Sequence, residues 1–301
     1  MVECNKLKLH YYFNDDSHNI DALFRNQCEN ELLHIFTEIS NSLDLKLYIE
    51  SEPPKEGGFA EFWKFLSDNN IQITLLITLA TLIVSRKPVE NKKLTQLQIE
   101  NLELDNELKR KELEKLNLKT LTENDITNDL ITKLLDLLML NYKIIWRRSN
   151  FYKKANIYPK ITKISTQRFL DDIPIGNEKQ VRQDRFSNYI LHSDELPDIE
   201  IEEAQIDLIS PVLKPGKFLW KGFYSNQIIS FEMLDDTFQS MVQHGKIKFN
   251  SNVSISTVMN QKRKIDDKGA IKASKIQILL VIDYTIDGVK YITDNGALYK
   301  K

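Results

Sequence analysis

FAEFWKFLSDNNIQITLLITLATLIVSRK, residues Phe59 to Lys87, is the stretch on which the reading of the whole chain turns. Phe59, Phe62, Trp63, Phe65 and Leu66 crowd one turn after another, and Trp at the edge of an apolar run suits a membrane–water interface. Ile71 to Val84 carries no charge, and Arg86, Lys87, Lys92 and Lys93 close the run. That uncharged part is short, and its length fits a buried core helix as readily as a membrane span. Counted from Phe59 to Ser85 the run reaches spanning length, with Lys64 snorkelling and Asp68 at the interface. The expectation adopted is one transmembrane helix in residues 58–87. The competing reading is a helix buried inside an oligomer.

The same helix carries a polar stripe. At helical spacing Ser67, Asn70, Thr74, Thr78, Thr81 and Ser85 fall within one narrow arc, while Leu75, Leu76, Leu79 and Ile83 lie opposite. A ring of such helices would turn hydroxyls toward a water-filled path, which makes Asn70, Thr74, Thr78, Thr81 and Ser85 candidate pore-lining residues. The plainer alternative is packing, with each hydroxyl bonded to the carbonyl one turn back.

Toward the N-terminus, Leu7, Leu9, Tyr11 and Phe13 alternate as in a strand, and Leu45 to Ile49 alternates again. Between them Ile20, Leu23, Phe24, Leu32, Ile35, Phe36 and Ile39 recur at helical spacing. Residues 1–57 therefore read as a small βαβ unit that needs a second copy or another domain to bury its core. Toward the C-terminus, Leu94, Leu97, Leu104 and Leu108 occupy heptad core positions with Asn101 between them. This predicts a short coiled coil within 88–121 that assembles several copies, on the order of four or more. Thr122 and Asp125 form a capping box for an apolar helix in 122–150. Residues 151–301 then read as an antiparallel α+β domain. Its strands fall at Ile161–Phe169, Gln205–Leu213, Phe218–Tyr224, Ile228–Met233, Lys246–Phe249, Val253–Arg263 and Ile276–Thr285. A short helix starts at Asp235 or Asp236. The fold class is α+β with a membrane helix.

Net charge is only −2 over 301 residues, so local rather than bulk charge must nominate a partner. From Leu137 to Leu170 there is no acidic residue. Lys143, Arg147, Arg148, Lys153, Lys154 and Lys160 there interleave with aromatics that include Trp146 and Tyr152. Cations attract phosphate and aromatic faces stack bases, so the mixture suits an anionic nucleotide or oligonucleotide. Lys262, Arg263 and Lys264 begin a second basic tract around a hairpin at Asp266–Gly269. Two competing readings stay open: neutralisation by the acidic stretch Asp194–Asp207, or attachment to anionic lipid.

Enzyme chemistry finds little support. No phosphate-cradling glycine loop, GxSxG elbow, HExxH or paired-cysteine metal spacing occurs, and the five histidines stand singly. No catalytic residue, metal or cofactor is expected. Cys4 and Cys28 fit no disulfide framework and read as reduced thiols. No cleavable leader is expected, because Met1 to Phe13 reads as a strand.

The order of parts, carried by Phe59–Lys87, Leu94–Leu108 and the basic-aromatic segment, resembles membrane effectors of bacterial anti-phage systems. The channel subunit of Hailong-type defence is the nearest such case. The resemblance implies an oligomeric channel in the bacterial inner membrane, opened by a nucleotide or oligonucleotide signal. It assigns no role to an individual residue. The basic flank after Val84 would keep the C-terminal domain cytosolic. The rival readings are a non-conducting membrane scaffold for a protein partner, and a soluble nucleic-acid-binding oligomer with residues 71–84 as a dry core.

Overall fold

Alternation in Lys6–Phe13 builds strand β1, which turns Leu7, Leu9 and Tyr11 to one face and Lys8, His10 and Tyr12 to the other. In the computed structural model β1 is the middle of a five-stranded sheet ordered β2-β3-β1-β4-β5, with every neighbouring pair antiparallel. The other strands are β2 (Tyr48–Glu52), β3 (Phe59–Leu66), β4 (Ile161–Leu170) and β5 (Ile173–Arg182). The structure describes residues 2–15, 17, 19–52, 59–86, 122, 125–139, 141–191, 195–214, 216, 218–247, 253–266 and 268–299. The chain divides into two units, Met1–Ser193 and Asp194–Lys301. Residues 1–57 are thus completed by β3, β4 and β5 of their own chain.

Helices α1 (Ala22–Ser42), α2 (Asn70–Ser85), α3 (Asn128–Leu138) and α4 (Tyr142–Ile157) share one core with the inner face of this sheet. A 3-10 helix, Gln183–Tyr189, adds Phe186 and Tyr189. The single helix anticipated at 122–150 is broken in two. Asn141 caps α4 by accepting a hydrogen bond from the Lys143 amide at 3.0 Å.

The membrane helix is corrected here. Phe59–Leu66 is not helical: it is a strand pairing with both β1 and β2. Its crowded aromatics alternate, with Trp63 and Phe65 packing on Phe36 of α1 and Phe62 on Phe169. Only Asn70–Ser85 is helix, started by the Asn69 side chain, and no helix among the described residues is long and apolar enough to cross a membrane. A helix that is apolar all round belongs in a large core or a bilayer. Here Leu75, Leu76, Ile77, Leu79, Ala80 and Ile83 are each 1% exposed or less within the core. The single-pass inner-membrane placement and the channel that depended on it fall with that helix.

The hydroxyl stripe faces protein. Thr74 Oγ1 accepts from the Cys4 amide at 3.0 Å and donates to the Cys4 carbonyl at 3.2 Å. Thr78, Thr81 and Ser85 donate to the carbonyls of Thr74, Ile77 and Thr81 at 2.7–2.8 Å, and Arg168 donates to Thr78 Oγ1. The expected pore lining, Asn70, Thr74, Thr78, Thr81 and Ser85, therefore lines no water-filled path: Thr74, Thr78 and Thr81 are buried, and Asn70 opens the helix. The coiled-coil seam Leu94, Leu97, Asn101, Leu104 and Leu108 lies outside the described residues.

In the second unit the strands are β6 (Glu195–Ser210), β7 (Trp220–Tyr224), β8 (Gln227–Met233), β9 (Val253–Ile265), β10 (Ile271–Ile286) and β11 (Val289–Ile292). Helix α5 (Asp236–Gln243) joins β8 to β9, and α6 (Asp294–Tyr299) follows β11. The sheet order β11-β10-β8-β7-β6-β9 closes on itself because β9 also pairs with β10. The ring is therefore β6-β7-β8-β10-β9, with β8 and β10 parallel and a helix between the third and fourth strands. This connectivity is that of an OB-type Greek-key barrel. Trp220, Phe231, Ile206, Met259 and Ile278 fill its interior. Buried Asp235 ties it together, accepting from the amides of Phe238 and Val281 and from the Asn295 side chain.

Two outcomes follow for the first unit. Tyr152 donates to the Val84 carbonyl at 2.8 Å with both groups buried. Tyr152→Phe should cost about 1–3 kcal/mol, read as a lower denaturant midpoint. Glu61, 3% exposed on β3, holds Arg25 Nε at 2.7 Å, yet burial outweighs that partly exposed cation and raises its carboxyl to about 7. A carboxyl raised on folding makes stability fall as pH rises from its ordinary 4.5 to about 7, by roughly 3 kcal/mol for that separation. Urea titrations across this range should show the slope in the parent and its loss in Glu61→Gln.

Candidate functional site

The basic-aromatic residues nominated on α4 are mostly engaged inside the first unit. Arg147 pairs with Glu31 at 3.1 Å, and Lys154 bonds the other oxygen of the same carboxylate. Lys143 pairs with Glu38 at 3.5 Å and Lys160 with Asp15 at 3.0 Å. Trp146 lies under the Arg147 guanidinium at 4.6 Å, and Lys153 is exposed. Arg148 is 2% exposed and donates to the Ile83 carbonyl at 3.2 Å, at the C-terminus of α2 where the helix dipole favours a cation. Burial lowers its guanidinium to about 10, so it stays protonated at neutral pH. The acids that meet this tract within the first unit come from α1 and residue 15. Cys4 and Cys28 are free, buried thiols raised by burial to about 11 and about 12, far from the thiolate range of a nucleophile.

The second basic tract lies differently. Cross-strand register on the β9–β10 hairpin sets Lys262 directly opposite Lys275, and Lys264 directly opposite Lys272. A one-residue irregularity at Ser274 keeps all four lysines on one face. Like charges directly opposed destabilise a sheet, so two such pairs in succession call for an anion. Two carboxylates answer in part: Glu232 on Lys275 at 2.6 Å and Asp266 on Lys272 at 2.7 Å. Asp266 is held down to about 2 by Lys272 and by the amides of Ala270 and Lys268, and so anchors the turn. Among the described residues no ion pair forms on Lys262 or Lys264, although β6 sets Glu195 directly opposite Lys264 on its other side. Arg263, between them, points to the opposite face with Leu196 and Ala273 as its strand neighbours.

That lysine face continues onto β8 and β7. Parallel pairing sets Glu232 beside Gln277, whose side chain donates to it at 2.7 Å. Two and four residues back along β8 come Ser230 and Ile228, which face outward opposite Lys221 and Phe223 of β7. Phe223 is 41% exposed and Ile228 69%, and Phe218 and Leu219 of the β6–β7 connection are 60% and 56% exposed. The outer surface of the barrel therefore carries an apolar, aromatic platform with Lys221 at its edge on β7 and β8, and the opposed lysines on β9 and β10. Ser225 and Asn226, both at positive φ, make the tight turn that presents the platform.

Periodicity marked β7, β8 and the lysines but could not pair them, because opposition of Lys262 with Lys275 depends on register and on the irregularity at Ser274. Phe223 and Ile228 went unnoticed as a site. Their signal was there: apolar residues at alternate positions outward of Trp220, Gly222 and Phe231 on strands already apolar inward.

Among the described residues no group of three or more His, Cys, Asp or Glu side chains is arranged to hold a metal ion. Compared with protein families, with curated proteins and with solved structures, the chain shows no match.

The platform depends on a close approach behind it. A Cβ on Gly222 would lie 2.4 Å from Ile206 Cγ2 and 3.1 Å from the Asp207 carbonyl. Gly222→Ala should push β7 off β6 and lower the thermal midpoint of the second unit by several degrees, at about 1–3 kcal/mol, leaving the first unit's transition in place.

Proposed function

We propose that the C-terminal barrel binds single-stranded nucleic acid on this outer wall. The observation that carries the reading is the exposed cross-strand pair Phe223–Ile228 on the same outer surface of the barrel as two directly opposed lysine pairs. Unstacked bases supply faces for the platform, and the phosphates between them supply anions for the exposed ammonium groups of Lys221, Lys262 and Lys264. A duplex hides its base faces and can use only the cations. The barrel connectivity points the same way, since OB-type barrels bind oligonucleotides or oligosaccharides on the second and third strands and the flanking loops. Fold alone assigns no function, so the side chains bear the weight. The expected anionic oligonucleotide partner is kept, with Lys262 and Lys264 as its cations and the α4 residues set aside as internal partners.

Fluorescence anisotropy with a labelled oligothymidylate tests this. Phe223→Ala should weaken binding by about 1–3 kcal/mol, the scale of one base–aromatic stack. Lys262→Gln and Lys264→Gln should each flatten the log–log salt dependence by about 0.7. Arg147→Gln and Lys153→Gln should leave the affinity where it is. Absence of binding, or equal binding by the parent and all barrel variants, would refute the assignment.

A further inference from the structure

On the wall just described, Glu232 stands out because it is an acid set between the platform and the lysines. It sits on β8 two residues beyond Ser230, half-buried, with one oxygen 2.6 Å from Lys275 Nζ and 2.7 Å from Gln277 Nε2. Lys275 is the strand neighbour of Lys262, so the two ammonium groups belong to one small area, and one of them already has a carboxylate. Asp266 also holds a lysine, but it accepts from two turn amides as well, and its removal would loosen the hairpin. Glu232 lies on β8, outside that turn. Its position asks why an anion-binding wall should keep an anion of its own.

We propose that Glu232 is a built-in competitor that withholds Lys275 from the ligand and so sets the affinity and selectivity of the wall. With Lys275 neutralised, the polyanion meets fewer cations there, and tight binding has to draw on the platform. A strand that offers base faces gains both contributions. A ligand with phosphates alone, such as a duplex, is left with the weakened electrostatic one. The inference rests on the reading of this wall as a single-strand site.

Glu232→Gln keeps the size of the side chain and an acceptor oxygen while removing the charge. In the full chain, oligothymidylate should bind about three- to tenfold tighter at low salt. The log–log salt dependence should steepen by about 0.7, the contribution of one further phosphate contact on a single strand. Duplex of the same length should gain at least as much, narrowing the preference for single strands. A merely structural role for Glu232 predicts the reverse, a lower midpoint and weaker or unchanged binding. Removing both charges, Lys275→Gln with Glu232→Gln, restores the parent's local net charge and should leave affinity within about twofold of the parent, where Lys262→Gln weakens it clearly. A loss in the folded double variant as large as that of Lys262→Gln would show that Lys275 already meets the ligand and would overturn the proposal. So would unchanged affinity and salt dependence in a folded Glu232→Gln. Failure of the parent to bind any strand would instead remove the single-strand reading itself.

Discussion

The C-terminal end of α2 is where the first unit is closed. An apolar helix inside protein leaves its last carbonyls without partners, and in a dry core each would cost on the order of 1–3 kcal/mol. Four successive carbonyls there are met from neighbouring elements. Arg148 reaches those of Ile83 and Arg86, Tyr152 that of Val84 and Tyr189 that of Ser85. The hydroxyls along the helix are satisfied by its own backbone, by Cys4 and by Arg168. Once these groups are paired, Ile73 to Val84 can serve as the centre around which α1, α3, α4 and the sheet pack.

The same accounting explains why the chain's two basic tracts have different fates. In α4 four of the five cations are taken by the fold, two by Glu31, one by Glu38 and one by the α2 terminus, while Lys153 is exposed. On the β9–β10 hairpin the lysines face one another across the sheet, and among the described residues Lys272 and Lys275 are held by carboxylates. Burial separates the cases. Arg147 and Arg148 are 5% and 2% exposed, whereas Lys262 and Lys264 lie exposed on the hairpin. An aromatic-basic mixture in sequence is thus ambiguous until register and burial decide which cations still face solvent.

Much of the architecture was legible. Strand patterning located β1, β4, β7, β8, β9 and most of β10, helical spacing located α1, and an aspartate at the start located α5. What failed was local and has physical causes. Phe59–Leu66 carries aromatics so densely that a strand with one face on the core and Phe62 packed on the other mimics a continuous helical run. Length could not separate a dry core from a bilayer for Ile71–Val84. Both environments select the same side chains and the same carbonyl-bonded hydroxyls, and only the distant partners Cys4, Arg148 and Arg168 tell them apart. Strand β5 and the first half of β6 are polar and acidic, with apolar alternation confined to Ile173 and Ile175 and to Ile199 and Ile201. The site was half visible: its lysines through charge, its platform only through which face of β7 and β8 the barrel leaves outside.

The central claim is that residues 70–85 are the core of the first unit and draw their partners from within the chain. Amide hydrogen exchange of the intact protein, without detergent or lipid, addresses it directly. Helix amides from Ile73 to Val84 should be among the slowest in the chain, opening only with global unfolding, and they should lose that protection together with Leu7 to Tyr11 as denaturant is added. Fast exchange of Ile73–Val84 in aqueous buffer, with protection gained only on adding bilayers or detergent, would contradict the account.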